Sequence, residues 1–209
     1  MRLLRTLRGA AACAPALVSV WIGLASPAAA SILRFLPVEE LARESSLVVR
    51  ARITGQSVHW TANHEGIYTE IEAVVLGPLK DRTAGGPASS GSRLRIIQAG
   101  GVIDGVSLDW TGRPTFRNGE DLVLFLAPYD PEDPRGGRLL VVGGKQGRMR
   151  VIEDPRGKAP IMVERNLAGI LDAPFIEGDE PEGPAPRRDL MRLEELRRRV
   201  LAAEGGEAR

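Results

Sequence analysis

The chain has one cysteine, Cys13, and two histidines, His59 and His64, among 209 residues. A single cysteine excludes an internal disulfide and a cysteine-built zinc site. The two imidazoles lie in one polar stretch, so any Ser-His or His-metal chemistry has to be assembled around that one loop. Aromatic residues are 4% of the chain, too few for the stacked platform with which single-stranded nucleic acid is held. Neither charge sign dominates, with 28 basic against 27 acidic residues. Beyond the first thirty residues no apolar run approaches the ~20 residues of a spanning helix.

The amino terminus follows the secretory plan. Arg2, Arg5 and Arg8 give a positive start, residues 10–25 an apolar run, and Ala28-Ala29-Ala30 a small-residue cleavage site. Pro15 and Ser19 interrupt the run, which is too short to remain as a membrane anchor. Cleavage is expected between Ala30 and Ser31, and Cys13 leaves with the leader. Without its three arginines the 179-residue remainder has 25 basic and 27 acidic residues, a formal charge of −2. The whole-chain pI of about 8.0 therefore belongs to the leader and gives no reason to expect binding to nucleic acid. The expected location is the periplasm or the extracellular space, with no stable membrane insertion after processing. An exported domain without cysteine must be stabilised by its aliphatic core.

What is present in strength is β patterning. Pro37 followed by Glu39 and Glu40, with Val38, Leu41 and Ala42 on one side, predicts a short helix. From Ser46 the period becomes two: Leu47, Val49, Ala51 and Ile53 alternate with polar or smaller neighbours, which predicts a first strand ending near Thr54. A polar loop is expected over 56–66. A long second strand follows, with Ile67, Thr69, Ile71, Ala73 and Val75 on one face and Gly77-Pro78 at its end. Residues 93–98 predict a third. If these form a meander with the second strand central, Glu70 and Glu72 lie between Arg50/Arg52 and Arg93/Arg95.

A Gly-rich excursion over 99–118 contains Asp104-Gly105, a favoured two-residue hairpin turn. After it, Leu122-Val123-Leu124-Phe125-Leu126-Ala127, closed by Pro128, suits a strand buried on both faces. Residues 139–142 and 149–152 predict two more strands, and 161–163 a short edge strand. Residues 172–187 are Pro, Gly and acidic, a linker composition. Asp189 then fits an N-cap for a helix over 188–204, with Leu190, Leu193, Leu196 and Val200 on one face. That helix either docks on the core or meets a partner, since ~16 residues are marginal alone. The predicted organisation is leader 1–30, β-domain 31–171, linker 172–187 and terminal helix 188–204.

The order of Ile67-Tyr68-Thr69, Leu76-Gly77-Pro78-Leu79-Lys80, Gly100-Gly101, Gly112-Arg113-Pro114-Thr115-Phe116, the strand from Gly119 to Leu126, and Val142-Gly143-Gly144 with Gln146-Gly147 resembles a family of uncharacterised exported bacterial β-domain proteins, over roughly residues 36–152. Its strand plan is similar to the OB-type barrel of the netrin and tissue-inhibitor-of-metalloproteinase modules. The resemblance implies a mainly β fold, an antiparallel OB-like barrel of five to seven strands with a short helix before it and an amphipathic helix after it. Those inhibitors chelate zinc through an amino-terminal cysteine. Here the processed chain begins at Ser31 and has none, so that mechanism does not transfer.

The candidate site residues are few. His59 and His64 are weak metal candidates: on a strand their spacing puts the imidazoles on opposite faces. There is no Gly-x-Ser-x-Gly elbow, and Asp104 with Asp109, or Glu120 with Asp121, occupy turn and strand-start positions. Gly100-Gly101 is not followed by a phosphate-loop lysine. Trp60, Trp110 and Phe116 lie in loops at one end of the expected barrel; they either anchor a partner or plug that end, and their exposure decides which. The expected function is an exported, non-catalytic module without a cofactor that binds a protein or cell-envelope component. The rival is an exported hydrolase or metal-binding protein that uses the His59/His64 loop.

Overall fold

The computed structural model describes residues 34–83, 88–129, 137–154, 156–157, 159–167 and 188–205. The expected leader with its Ala30–Ser31 cleavage site, and the linker 172–187, lie outside them. Of the chain's two compact units only the second, Ser31–Arg209, falls within this set.

The fold is mainly β with one helix near each end. Helix α1 (Val38–Glu44) opens on Pro37 and carries Glu39 and Glu40 in its first turn, as the sequence predicts. Strands β1 (Leu47–Trp60), β2 (Ile67–Asp81) and β3 (Arg93–Ala99) follow as an antiparallel meander with β2 in the middle. Strands β4 (Gly101–Ile103) and β5 (Val106–Leu108) form a separate small hairpin. Asp104 and Gly105 at its turn have φ of 52° and 78°, the double positive φ of a two-residue hairpin turn. Strands β6 (Asp121–Pro128), β7 (Arg138–Val141), β8 (Arg148–Ile152), β9 (Met162–Asn166) and β10 (Arg188–Arg192) precede helix α2 (Leu193–Gly205). The main sheet runs β1-β2-β3-β7-β6-β8-β9-β10 and has a further pairing between β1 and β6.

Strand β6 explains why there are two cores. Alternate side chains leave opposite faces of a strand, so Leu122, Leu124 and Leu126 enter one cluster, with Leu47, Ile53, Ile71 and Ile96. Val123 and Phe125 enter the other, which both helices cover with Leu41, Leu196 and Val200. All five of these β6 residues are fully buried. At ~1.5 to 3 kcal/mol per fully buried large aliphatic or aromatic side chain, this strand is a major contributor to the apolar stabilisation.

Four expectations need correction. The stretch 56–60 is strand, not loop: it pairs with β2 from Gln56↔Ile71 to Trp60↔Ile67, because β2 continues as a template past Ile53, where the regular apolar alternation of β1 ends. The arginines of β1 do not face Glu70 and Glu72. Because β1 and β2 stay paired out to Trp60↔Ile67, Arg50 lies opposite Gly77 and Arg52 opposite Val74, and Arg50 instead grips Asp121 of β6 at 3.0 and 2.6 Å. On the β3 side the expectation holds for Arg95, which is opposite Glu72 and 3.2 Å from Glu70, and not for Arg93, which is opposite Val74.

The strand at 161–163 is not an edge, since β9 lies between β8 and β10. Finally, 188–192 is strand and not the first turn of the helix. Asp189 caps nothing; it pairs with Arg165 on β9 at 2.8 Å, and Leu190 is 58% exposed. The main sheet has eight strands among the described residues. Helix α2 docks on α1, and Arg199 holds Glu39 at 2.6 and 3.0 Å.

Candidate interaction surface

The far ends of β1 and β2, the β4–β5 hairpin and the segment 109–116 meet at one end of the sheet. Strand alternation carries the inner face of β2 from Val75, Ala73 and Ile71 to Thr69, and that of β3 from Leu94 and Ile96 to Gln98. The apolar core therefore gives way to polar side chains that are still buried. Thr69 and Gln98 are opposite each other in the β2–β3 register, both less than a tenth exposed. Gly101 crosses directly above them. A Cβ there would lie 2.6 Å from Val58 Cγ1 and 2.9 Å from Thr69 Oγ1, and its φ of 150° also favours glycine.

These residues line a cavity of about 340 Å³, with Val58, Val102 and Pro114 as its walls and Phe116 buried at its base. This is within the size range of small-ligand pockets. The floor is polar and carries both donors and acceptors. Thr69 donates its hydroxyl proton to Gly100 O at 2.7 Å, and Gln98 Oε1 has no hydrogen-bond partner among the described residues. Gln56 Nε2 points to Phe116 O at 3.4 Å. Among the described residues Arg113 is the one cation lining the cavity, and its Nε donates to Asp109 Oδ1 at 2.7 Å. That bond, together with the Trp110 amide, holds the Asp109 carboxyl below its usual range.

Around the cavity stands an unusually apolar hairpin. Val102 is 62% exposed, Val106 47%, Leu108 44% and Trp110 36%. Trp110 is braced by its indole N–H on Ala99 O at 3.1 Å. Trp60 is half-buried and donates to Asp104 Oδ2 at 2.9 Å, which ties the β1–β2 tip to the hairpin turn. Phe116 is not exposed with this hairpin: it closes the base of the cavity from the core cluster of β1, β2 and β3, and the Arg148 guanidinium lies 5.9 Å from its ring centroid. Of the three aromatics singled out by sequence, two are on the surface and one plugs the interior.

His59 and His64 do not converge. His59 is exposed on β1, stacked on Tyr68 at 5.3 Å, with Nε2 2.8 Å from Ser57 Oγ. His64 is in the turn beyond, with φ 57° and its ring 6.0 Å from that of Trp60. Among the described residues no three His, Cys, Asp or Glu side chains come together to hold a metal. A larger depression of about 450 Å³ over β2 and β3 is lined by Thr54, Val74 and Leu94 together with the charged Glu72, Arg93 and Arg95.

Sequence reasoning overlooked Gln98, Thr69 and Val102. A signal existed for the first two: both are polar residues on the inward phase of an otherwise apolar alternation. Compared with protein-family models and with curated proteins, the chain has no match.

Proposed function

We propose that this is an exported, non-catalytic module built on a closed OB-type β-barrel, which binds a protein or cell-envelope component through the β4–β5 hairpin and the cavity beneath it. The observation that carries the reading is the cluster of Val102, Val106, Leu108 and Trp110, exposed together at the mouth of a preformed cavity. Contiguous exposed apolar side chains around a concave site mark binding surfaces.

The barrel reading rests on connectivity. Pairings run from β1 to β2, β2 to β3, β3 in parallel to β7, β7 to β6, and β6 back to β1, a ring of five strands. A closed ring leaves no unprotected edge among those strands. Such a barrel resembles the netrin and metalloproteinase-inhibitor modules in architecture without sharing their cysteine chemistry. The export reading rests on the arginines, apolar run and alanines of residues 1–30.

The rival hydrolase has one observation in its favour, the Ser57–His59 hydrogen bond. It is an exposed pair on a strand face, where an acyl intermediate would be open to bulk water.

The test is site-specific photo-crosslinking of the full chain produced with its own leader. A crosslinking residue at Val106 is expected to trap a partner in the exported fraction, with processing before Ser31. The same residue at Leu201, on the exposed side of α2, traps none. Equal trapping at both positions, or none at Val106, overturns the reading. Labelling of Ser57 by a fluorophosphonate would favour the hydrolase.

A further inference from the structure

We propose that strand β10 is an open edge that takes an extended segment of a partner polypeptide as a further antiparallel strand, with an acidic, an apolar and an acidic residue set against Arg192, Leu190 and Arg188. This surface shares no residue with the hairpin and cavity described above and stands independently of them.

β10 ends the main sheet, with β9 on one side and no strand on the other among the described residues. Its outward groups follow from the ladder. The pairing Arg192↔Met162 continues to Leu193, whose N–H donates to Ile161 O at 2.9 Å. Hydrogen-bonded and non-hydrogen-bonded residues alternate along an antiparallel pair, so Asp189 and Met191 also direct their main-chain groups to β9. The N–H and C=O of Arg188, Leu190 and Arg192 point the other way, toward the open edge. Alternation sends these three side chains to one face of the sheet. Met191 enters the core that the helices cover and Asp189 holds Arg165, whereas Arg188, Leu190 and Arg192 are all exposed.

Charge decides which strand fits. Glu164, opposite Leu190 in the register, is shared by Arg150 at 2.6 Å and Arg188 at 3.3 Å. Arg192 makes no ion pair among the described residues. Three arginines therefore meet one carboxylate on this strip of the sheet.

A second copy of the chain is a poor occupant. Pairing two β10 strands about a twofold axis at Leu190 sets Arg188 of each against Arg192 of the other, and like charges directly opposite are destabilising. A polyanion without a peptide backbone answers the arginines but leaves the alternating N–H and C=O groups unmatched. An acidic strand answers both, main chain to main chain and carboxylate to guanidinium, with its apolar residue beside Leu190. The arginines thus turn away copies of the chain, as charged residues commonly do at a sheet edge, and admit one charge class of partner.

The probe is N-acetyl-Thr-Glu-Thr-Val-Thr-Glu-Thr-amide, titrated at low salt to about 5 mM into isotope-labelled processed chain, beside the same peptide with Lys for both Glu. Amide shifts are expected at Arg188, Leu190 and Arg192, whose N–H groups also exchange more slowly with deuterium. The Lys peptide is expected to bind about tenfold more weakly, since two attractive cross-strand pairs become repulsive, and the gap narrows in about 0.5 M salt. Methylating the Glu, Val and Glu nitrogens, which face β10, is expected to abolish binding, while methylating the two Thr nitrogens between them leaves it intact. Arg192→Glu is expected to weaken the Glu peptide about threefold with an unchanged Tm, because one pair of the two is reversed at an exposed position.

Equal binding of the Glu and Lys peptides, or shifts that miss β10, would overturn the proposal. So would dextran sulfate protecting the Leu190 amide as well as the Glu peptide does, or a concentration-dependent dimer whose amide broadening centres on Leu190; these outcomes assign the edge to a polyanion or to a second copy. The peptide comparisons on the unmodified protein need no variant to fold.

Discussion

Replacing Asp189 by Asn separates two accounts of the carboxy-terminal segment. If Asp189 were a helix N-cap, Asn would serve nearly as well and stability would change by a few tenths of a kcal/mol. In the structure its carboxylate instead faces Arg165, whose side chain is 3% exposed and which also donates to Leu36 O at 2.7 Å. Burial pushes the Arg165 guanidinium down from its ordinary pKa while the Asp189 charge opposes that shift. Removing only the negative charge leaves a buried cation with no opposite charge in contact. Breaking one side of a buried pair costs ~3 to 5 kcal/mol, and since Asp189 is itself about a quarter exposed the expected loss is about 2 to 4 kcal/mol. For a domain of this size that is a fall in Tm of about 5 to 15 °C.

Thermal and urea unfolding of the processed chain measure it. Arg165→Met with Asp189→Asn is expected to be less destabilised than the two single losses added together, because the double variant buries no charge. A loss below ~0.5 kcal/mol in Asp189→Asn would refute the ion-pair account and restore the capping one.

Two further outcomes follow from other contacts in the fold. The Arg199 guanidinium holds the Glu39 carboxyl below its ordinary value of 4.5, so the stability from this pair is fully present above that value and is lost as pH falls through the lower, folded-state value. Glu39→Gln is expected to flatten the acid limb of the stability curve below about pH 4.5 by less than ~1 kcal/mol, because the pair is partly solvated; an unchanged acid limb would remove the pair from the account. Gly101→Ala places a Cβ 2.6 Å from Val58 in a positive-φ position and is expected to cost ~1 to 3 kcal/mol in urea unfolding and to obstruct the cavity. A variant as stable as the parent would mean that the hairpin shifts freely over the β1–β2 tip.

Local rules found the elements that local rules govern. Period-two alternation located β2, β3 and β6, and the Asp104-Gly105 dipeptide located the β4–β5 turn, because each is specified by neighbours in sequence. The helix-like spacing of Leu190, Leu193, Leu196 and Val200 misled at one end. Residues 188–192 find an unsatisfied edge on β9, and pairing from Arg188↔Asn166 to Arg192↔Met162 outweighs a weak helical preference over one turn. The end of β1 was missed for the same reason, since residues 56–60, mostly polar, are held by β2 rather than by any pattern of their own.

The sequence alone determined that the chain has a β-core without disulfides, that Leu122 to Leu126 lies at its centre, and that Trp60 and Trp110 belong to one loop end. Tertiary structure alone decided which charges the β1 arginines meet, because pairing out to Trp60↔Ile67 sets Arg50 and Arg52 opposite Gly77 and Val74, and β6 then supplies Asp121. It also decided which aromatic residue faces inward, and that Gln98 and Thr69 form a buried polar floor. Those outcomes depend on where distant strands cross, and no pattern confined to one segment encodes a crossing.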